Sequence, residues 1–244
     1  MNWLVYPAQV MLTRFPRAPF MIQHRLIEHP LLYLPRLIEL ARALPEQQQE
    51  YNSGDLPVSQ DYLSTPHTGL SALQTLLQIE ECNSWLVLKN IERDPQYAGL
   101  LGQCLQQLAV QTETRAPGMQ HAEGFIFVSS PNSITPYHMD PEHNFLLQVR
   151  GSKRVTVFDG ADRSILSEEQ LESFHAGAHR NMPFRDEFAQ RGELFELAPG
   201  NGLYIPVTAP HWVANGPSVS ISLSITFGHA QPAIKPVFTR SMLG

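Results

Sequence analysis

Apolar residues follow a helical period in the first part of the chain. Over Pro30–Leu44 they recur at helical spacing, and Pro45 then stops the pattern. The same period predicts helices over Leu70–Glu81 and Tyr97–Val110, whereas the apolar run Ser84–Ile91 between them predicts a strand. We therefore expect the first half of the chain to be mainly helical, with one strand.

From Gly124 onward the period changes to two, which is typical of strands. In Val219–Phe227 apolar residues alternate with serines, and this pattern leaves open whether the serines line a polar interior or face water. Several short strands at even spacing predict a barrel or sandwich. The predicted strands are Gly124–Ser129, Tyr137–Asp140, Phe145–Arg150, Arg154–Phe158, Leu194–Leu197, Gly202–Ile205 and Val219–Phe227.

Two polar stretches interrupt the regular elements. Glu46–Pro66 is rich in turn residues, and we expect an ordered loop or a lid over a binding site. Asp162–Gln190 reads as a partly helical insertion. A chain of 244 residues can form one domain. We divide it into helical and first-strand decoration at 1–120, a core barrel at 121–230 and a C-terminal tail at 231–244.

Charge and cysteine content narrow the class of protein. The net charge of −6, without a basic run, disfavours nucleic acid as a partner. Two distant cysteines, Cys82 and Cys104, do not make a disulfide framework and favour a reducing compartment. We see neither a signal-peptide pattern nor an apolar run long enough to span a membrane, so we expect a cytoplasmic protein.

Candidate chemistry begins with His138 and Asp140. In a strand, residues at i and i+2 point to the same face, so this imidazole and carboxylate can meet one metal ion. His211 is the natural third ligand, because it lies just before the alternating strand. Two histidines and one carboxylate leave positions of an octahedral iron open for a co-substrate and oxygen. A pair of this kind is common by chance, and its sequence context carries more weight.

That context is a set of motifs around the three residues. Thr135–Phe145 reads TPYHMDPEHNF and Gln148–Arg154 reads QVRGSKR. Both segments resemble the core of the JmjC-like oxygenases, especially the branch with the hypoxia-inducible-factor asparaginyl hydroxylase. The family pattern is T-P-x-H-x-D, an N-F pair and a K-G-x-K-R-type turn, and here Arg150 holds the first basic position. Pro210–Trp212 resembles the third-ligand segment, and the resemblance covers about Glu123–Gly228.

The resemblance implies a fold and a set of site residues. The fold is mainly β, a double-stranded β-helix (jelly roll or cupin of the JmjC type) with N-terminal helical decoration. The site would hold Fe(II) and the co-substrate 2-oxoglutarate through these residues: His138, Asp140 and His211 for Fe(II), and Thr135, Lys153, Asn144 and Asn215 for 2-oxoglutarate.

A charge argument, independent of the resemblance, also predicts that Lys153 binds 2-oxoglutarate. A dianionic keto acid needs a cation at its far end, buried enough for a charge-assisted hydrogen bond to count. Val213–Gly228 contains no lysine or arginine, so Lys153 is the basic residue in the right place. We expect Arg154 to face solvent, and an exposed Lys153 at a hairpin end remains the competing interpretation.

The function implied is an oxygenase that consumes molecular oxygen and hydroxylates a protein or small molecule, or demethylates it through hydroxylation. A homodimer is expected only by analogy with relatives. One alternative is a metal-dependent cupin enzyme that does not use 2-oxoglutarate; another is a non-catalytic cupin binding or regulatory module. A third is a protein-contact subunit, which exposed Phe20, Met21 and Leu26 would support. We expect His143 to be a loop histidine.

Overall fold

Two antiparallel sheets face each other in the computed structural model, which describes residues 2–229; the predicted C-terminal tail lies outside the described residues. The larger sheet has the order β1-β2-β10-β7-β12-β5-β4-β3, and the smaller has the order β6-β11-β8-β9. The strands are β1 Leu4–Val5, β2 Phe20–His24, β3 Gln49–Ser53, β4 Ser84–Lys89, β5 Met119–Ser129, β6 Ile134–His138, β7 His143–Arg150, β8 Lys153–Val157, β9 Glu193–Leu197, β10 Asn201–Ile205, β11 His211–Asn215 and β12 Ser220–His229.

Strands β5 to β12 form the jelly roll. β5, β12, β7 and β10 are neighbours in the larger sheet, and β6, β11, β8 and β9 make up the smaller sheet. Every pairing among these strands is antiparallel. The chain therefore crosses repeatedly from one sheet to the other, which confirms the predicted mainly β jelly roll.

Helices cover the outer face of the larger sheet. Within residues 2–229 these α-helices are α1 Ala8–Arg14, α2 Leu34–Ala43, α3 Ala72–Leu77 and α4 Pro95–Thr112. A fifth α-helix, α5 Glu168–His175, lies in the insertion and packs against a separate cluster around Tyr137 and Met139. Buried leucines of α2, α3 and α4 share one core cluster with apolar residues of β4, β5, β7 and β12. The helical decoration is confirmed, although α3 is shorter than predicted because the chain turns at Gln78 and takes a left-handed conformation at Asn83.

The two faces of β12 differ in polarity. Leu223 and Ile225 belong to the core cluster under the helices. Ser220, Ser222 and Ser224 point the other way, into the space between the sheets, and are fully buried. The serines therefore line a polar interior, which resolves the alternative left open by the alternation.

Four local predictions were wrong. The first half of the chain contains strands β1 to β4, whereas the pattern predicts only the last of them. Glu46–Pro66 is not all loop, because it contains β3, a polar strand that the sequence pattern missed and that pairs with β4 at the sheet edge. Asp140 lies beyond the end of β6, although the pattern predicts a strand through it. Finally, His211–Asn215 forms β11, a strand that the sequence pattern did not identify.

Other N-terminal residues bear on the protein-contact alternative. Phe20 and Leu26 are buried in the core and Met21 packs against the interior, so these residues give that alternative no support. No helix within the described part of the chain has the length and apolar character needed to cross a membrane.

Candidate metal centre

The three predicted metal ligands meet at one end of the smaller sheet. His138 is the last residue of β6 and His211 is the first of β11, and the antiparallel register places them directly opposite each other. Asp140 follows two residues after β6, where its carbonyl oxygen accepts a hydrogen bond from the Thr208 backbone nitrogen (2.8 Å). The turn after β6 is thereby fixed to the segment that leads into β11.

Donor atoms of these residues converge on one point. Oδ2 of Asp140 lies 3.9 Å from Nε2 of His138 and 3.7 Å from Nε2 of His211. All three donor atoms lie within 4.8 Å of one another, and in the described residues no other group of three histidine, cysteine or acidic side chains meets this condition. Two imidazoles and a carboxylate on one side of a metal ion form the arrangement typical of non-haem Fe(II) oxygenases.

Backbone carbonyls fix the tautomer of both histidines. Nδ1 of His138 lies 2.7 Å from the Pro136 carbonyl oxygen, and Nδ1 of His211 lies 3.0 Å from that of Ala209. A carbonyl can only accept, so both Nδ1 atoms carry the proton and both Nε2 lone pairs are free for a metal. The rings are therefore oriented as ligands before any metal binds.

Electrostatics keep the donors in the charge state that a metal requires. Burial lowers the pKa of His138, and the adjacent His211 lowers it further, so this imidazole is neutral at pH 7. For Asp140, burial alone would raise the pKa, but electrostatic interactions with His138, Arg180 and His211 outweigh it and the pKa is lowered. A neutral imidazole and an ionised carboxylate are the metal-binding forms.

Lys153 and Asn215 form the opposite side of the same interior. They are direct partners in the register of β8 and β11, and both are buried. Lys153 is only 5% exposed, and within residues 2–229 its ammonium group makes no hydrogen bond or ion pair. Burial lowers its pKa to about 7. Arg154 is exposed, as predicted.

A second unsatisfied polar atom lies beside this lysine. The Asn215 side-chain nitrogen donates to the Ser133 carbonyl oxygen (3.0 Å), but Oδ1 of Asn215 is buried without a partner in the described residues. Thr135 shares a register row with Val213, and Asn144 on β7 accepts a hydrogen bond from Ser224 (2.7 Å). An unpaired cation inside a barrel fits an anionic ligand, whereas the free amide oxygen would accept a hydrogen bond from a donor.

A narrow cleft opens beside His138. It has ≈30 Å³ of free space, which is enough for about one or two water molecules. Glu50, Tyr62 and Thr65 of the predicted lid segment line it, together with His179–Asn181 of the insertion. The ring of Tyr62 stacks on that of His179 with centroids 3.5 Å apart, so the two segments meet over the cleft. A lid role for Glu46–Pro66 stays a prediction.

Sequence reasoning misplaced one histidine and missed one charged residue. His143 is not a loop residue: it begins β7, is buried, and its Nδ1 lies 2.8 Å from the Tyr204 hydroxyl on the helix side of the sheet. Arg180 reaches the Asp140 carboxylate from the insertion. No motif or period marks Arg180, so only the folded chain identifies it.

Comparison with known proteins identifies a family and several relatives of this chain. Residues 64–230 match the family of cupin-like domains. Jumonji C domain-containing protein 5 of Drosophila melanogaster is 33% identical over 97 residues, covering 37% of this chain and 24% of that protein. Lysine-specific demethylase 8 of Danio rerio is 28% identical over 101 residues, covering 39% and 24%. The chain thus spans about a quarter of the length of these relatives.

Solved structures show the same fold over nearly the whole chain. The structure of YcfD from Escherichia coli superposes with a TM-score of 0.61 at 16% identity, covering 96% of this chain and 56% of that one. Another structure of YcfD, a ribosomal oxygenase, is a complex with cobalt and 2-oxoglutarate; it gives a TM-score of 0.56 at 17% identity and covers 95% and 54%. At such identities the likeness concerns the fold.

Proposed function

We propose that this chain, which belongs to the family of cupin-like domains, is an Fe(II)- and 2-oxoglutarate-dependent oxygenase. His138, Asp140 and His211 would hold the iron. Lys153 and Thr135 would bind the distal carboxylate of 2-oxoglutarate, with Asn144 and Asn215 beside it. When bound, the iron and 2-oxoglutarate supply the oxidising chemistry that activates molecular oxygen.

The observation that carries this proposal is the unpaired, buried Lys153 in the same interior as the three donors. A buried cation without a counter-ion is costly, and an ionised ligand opposite it would remove that cost. A metal-dependent cupin enzyme that does not use 2-oxoglutarate has no need for such a lysine. A non-catalytic cupin has no need for three oriented metal ligands.

The protein groups would bind, orient and exclude water. The two histidines present fixed Nε2 lone pairs, and the ammonium of Lys153 sets the far end of the acid at the opposite side of the interior. The cleft lined by Tyr62 and Arg180 is where a target C–H bond would approach the metal. We propose a protein side chain or a small molecule as substrate, either hydroxylated or demethylated through a hydroxylated methyl group.

An anaerobic titration tests the proposal. Fe(II) is added first and 2-oxoglutarate second, and a weak visible metal-to-ligand charge-transfer band is expected after the second addition. Lys153→Ala should lose the band at the same 2-oxoglutarate concentration, whereas Arg154→Ala, which changes the exposed neighbour, should keep it. Metal binding without the band favours the other cupin enzyme, and no metal binding favours the binding module.

A further inference from the structure

Four alternating charges run from the candidate metal ligand across the mouth of the cleft. Nη1 of Arg180 lies 3.4 Å from Oδ1 of Asp140, and Nη2 lies 3.8 Å from Oε1 of Glu50. The other carboxylate oxygen of Glu50 lies 2.5 Å from Nζ of Lys89. We call Asp140, Arg180, Glu50 and Lys89 the charge row.

The two oxygens of Asp140 have different surroundings. Oδ2 is the oxygen nearest to both histidine Nε2 atoms, whereas Oδ1 faces Arg180. A carboxylate that is free to rotate could offer either oxygen, or both, to a metal ion. A guanidinium group on Oδ1 leaves Oδ2 as the oxygen directed at the metal position.

Backbone contacts hold Arg180 in place on both sides. Its carbonyl oxygen accepts a hydrogen bond from the Met139 nitrogen (3.2 Å), and the next residue, Asn181, forms a bridge with His138. The Met182 nitrogen donates to the Tyr137 carbonyl oxygen (2.9 Å). The insertion therefore lies along β6 as an extra edge segment, and the backbone of Arg180 is fixed at the ligand residues.

We propose that Arg180 is a positioning residue that holds Asp140 in one-oxygen coordination, and that Glu50, backed by Lys89, holds Arg180 in that place. The inference rests on the proposed metal site. Arg180 contacts Oδ1 of Asp140, not the Oδ2 atom that lies near the two histidines, so it would act through Asp140. The insertion and β3 thus contribute to metal affinity although neither supplies a ligand.

Two opposing effects decide whether replacing Arg180 strengthens or weakens metal binding. Removing a positive charge near a bound cation relieves repulsion and would tighten metal binding. Losing the hydrogen bond to Oδ1 frees the carboxylate and would weaken binding. The side chain of Arg180 is 37% exposed, so water and salt screen the repulsion, and we expect the loss of orientation to dominate.

Co(II) titration of the purified protein, followed by calorimetry, separates these effects. Arg180→Met should weaken Co(II) binding by about 10- to 100-fold, the usual range for groups that orient metal ligands. Arg180→Gln, which loses the charge but keeps a donor, should lose less. The matched control is Arg185→Met in the same insertion, because Arg185 is exposed and contacts Glu187 and the ring of Phe188 but not Asp140. This variant should bind Co(II) as the wild type does.

A double variant tests the role of Glu50. Glu50→Gln should weaken Co(II) binding by less than Arg180→Met, and the double variant should bind no more weakly than Arg180→Met alone, because Glu50 acts through Arg180. Independent, additive losses would overturn that part of the inference. Thermal unfolding of the metal-free variants should match the wild type; should Arg180→Met fail to fold, Arg180→Gln and Glu50→Gln decide.

The outcomes distinguish this inference from the proposed function. A wild type that binds Co(II), with Arg180→Met binding equally well or more tightly, overturns the positioning role and leaves the metal site intact. A wild type that binds no Co(II) overturns both.

Discussion

The two faces of the larger sheet are built from the same strands but from different kinds of residue. On the helix side, β7 and β12 present apolar rows such as Leu147 with Leu223. On the inner side the same strands present Gln148 and Ser222, which hydrogen-bond to each other at 2.7 Å. The helix side is closed by apolar packing alone in these rows, whereas the inner side combines a smaller apolar cluster, which includes Leu146 and Leu203, with polar groups.

The inner side buries polar groups that need partners, whereas the apolar rows of the helix side need none. Buried polar groups are tolerated when their partners are present, and a partly satisfied network is costly. On the inner side the serines are paired, but the Lys153 ammonium and the Asn215 amide oxygen have no partner in the described part of the chain. The unpaired ammonium therefore marks where the proposed anionic ligand would complete the interior.

Leu223→Ala on the helix side should have the largest effect. It removes a fully buried side chain from the core, so the free energy of unfolding should fall by about 2–5 kcal/mol. Urea denaturation measures the loss. Leu77→Ala, at a leucine that is 59% exposed, is the matched control and should change stability little. Co(II) affinity of folded Leu223→Ala should equal that of the wild type. A large change would contradict the claim that the helix side does not influence the metal site.

Lys153→Met tests the inner side. If Lys153 pairs with a 2-oxoglutarate carboxylate, its loss should cost about 2–3 kcal/mol of binding, which is about 30- to 150-fold in Kd. Equilibrium titration with Fe(II) present under anaerobic conditions measures it. Metal affinity should not change, and Arg154→Met should leave both affinities at the wild-type value. An unchanged 2-oxoglutarate affinity in Lys153→Met would contradict the proposal that this lysine binds 2-oxoglutarate.

The sequence was most informative where a repeated pattern reports on burial. Helices α2 and α4 and strand β12 follow from apolar spacing, because each buries one face over several turns or several alternate positions. Alternation also predicts that Lys153 and Arg154 face opposite ways, as they do. The JmjC resemblance then selected three residues whose donor atoms converge in the folded chain.

The rest depends on contacts between distant segments. Strand β3 carries the polar sequence QEYNS, so it has no apolar alternation and exists because β4 offers a free edge. Arg180 meets Asp140 only because its insertion folds back along β6. Neither contact leaves a local period, and a pattern-based method has nothing to detect.

Stability of the metal-free protein should depend on pH through Lys153. Its pKa is about 7 in the folded protein, against about 10.4 for an unfolded chain. Between these values the unfolded state binds more protons, so the free energy of unfolding rises with pH. From pH 7 to pH 8.5 we expect a gain of about 1–2 kcal/mol in urea denaturation. Lys153→Met should lack this increase in the free energy of unfolding. If the free energy of unfolding rises equally with pH in both proteins, groups other than Lys153 cause the increase.

Ser222→Ala should have the smallest effect. The hydroxyl donates to Oε1 of Gln148 in the interior, and its loss leaves that oxygen without one donor, so we expect a cost of about 1 kcal/mol in unfolding free energy. The exposed Ser218→Ala is the control and should change little. Ser222 and Leu223 are adjacent in one strand, so a loss from Ser222→Ala as large as that from Leu223→Ala would mean that polar pairing on the inner side stabilises the fold as much as apolar packing does on the helix side. A small loss is expected if the inner serines of β12 contribute little to stability beyond their hydrogen bonds.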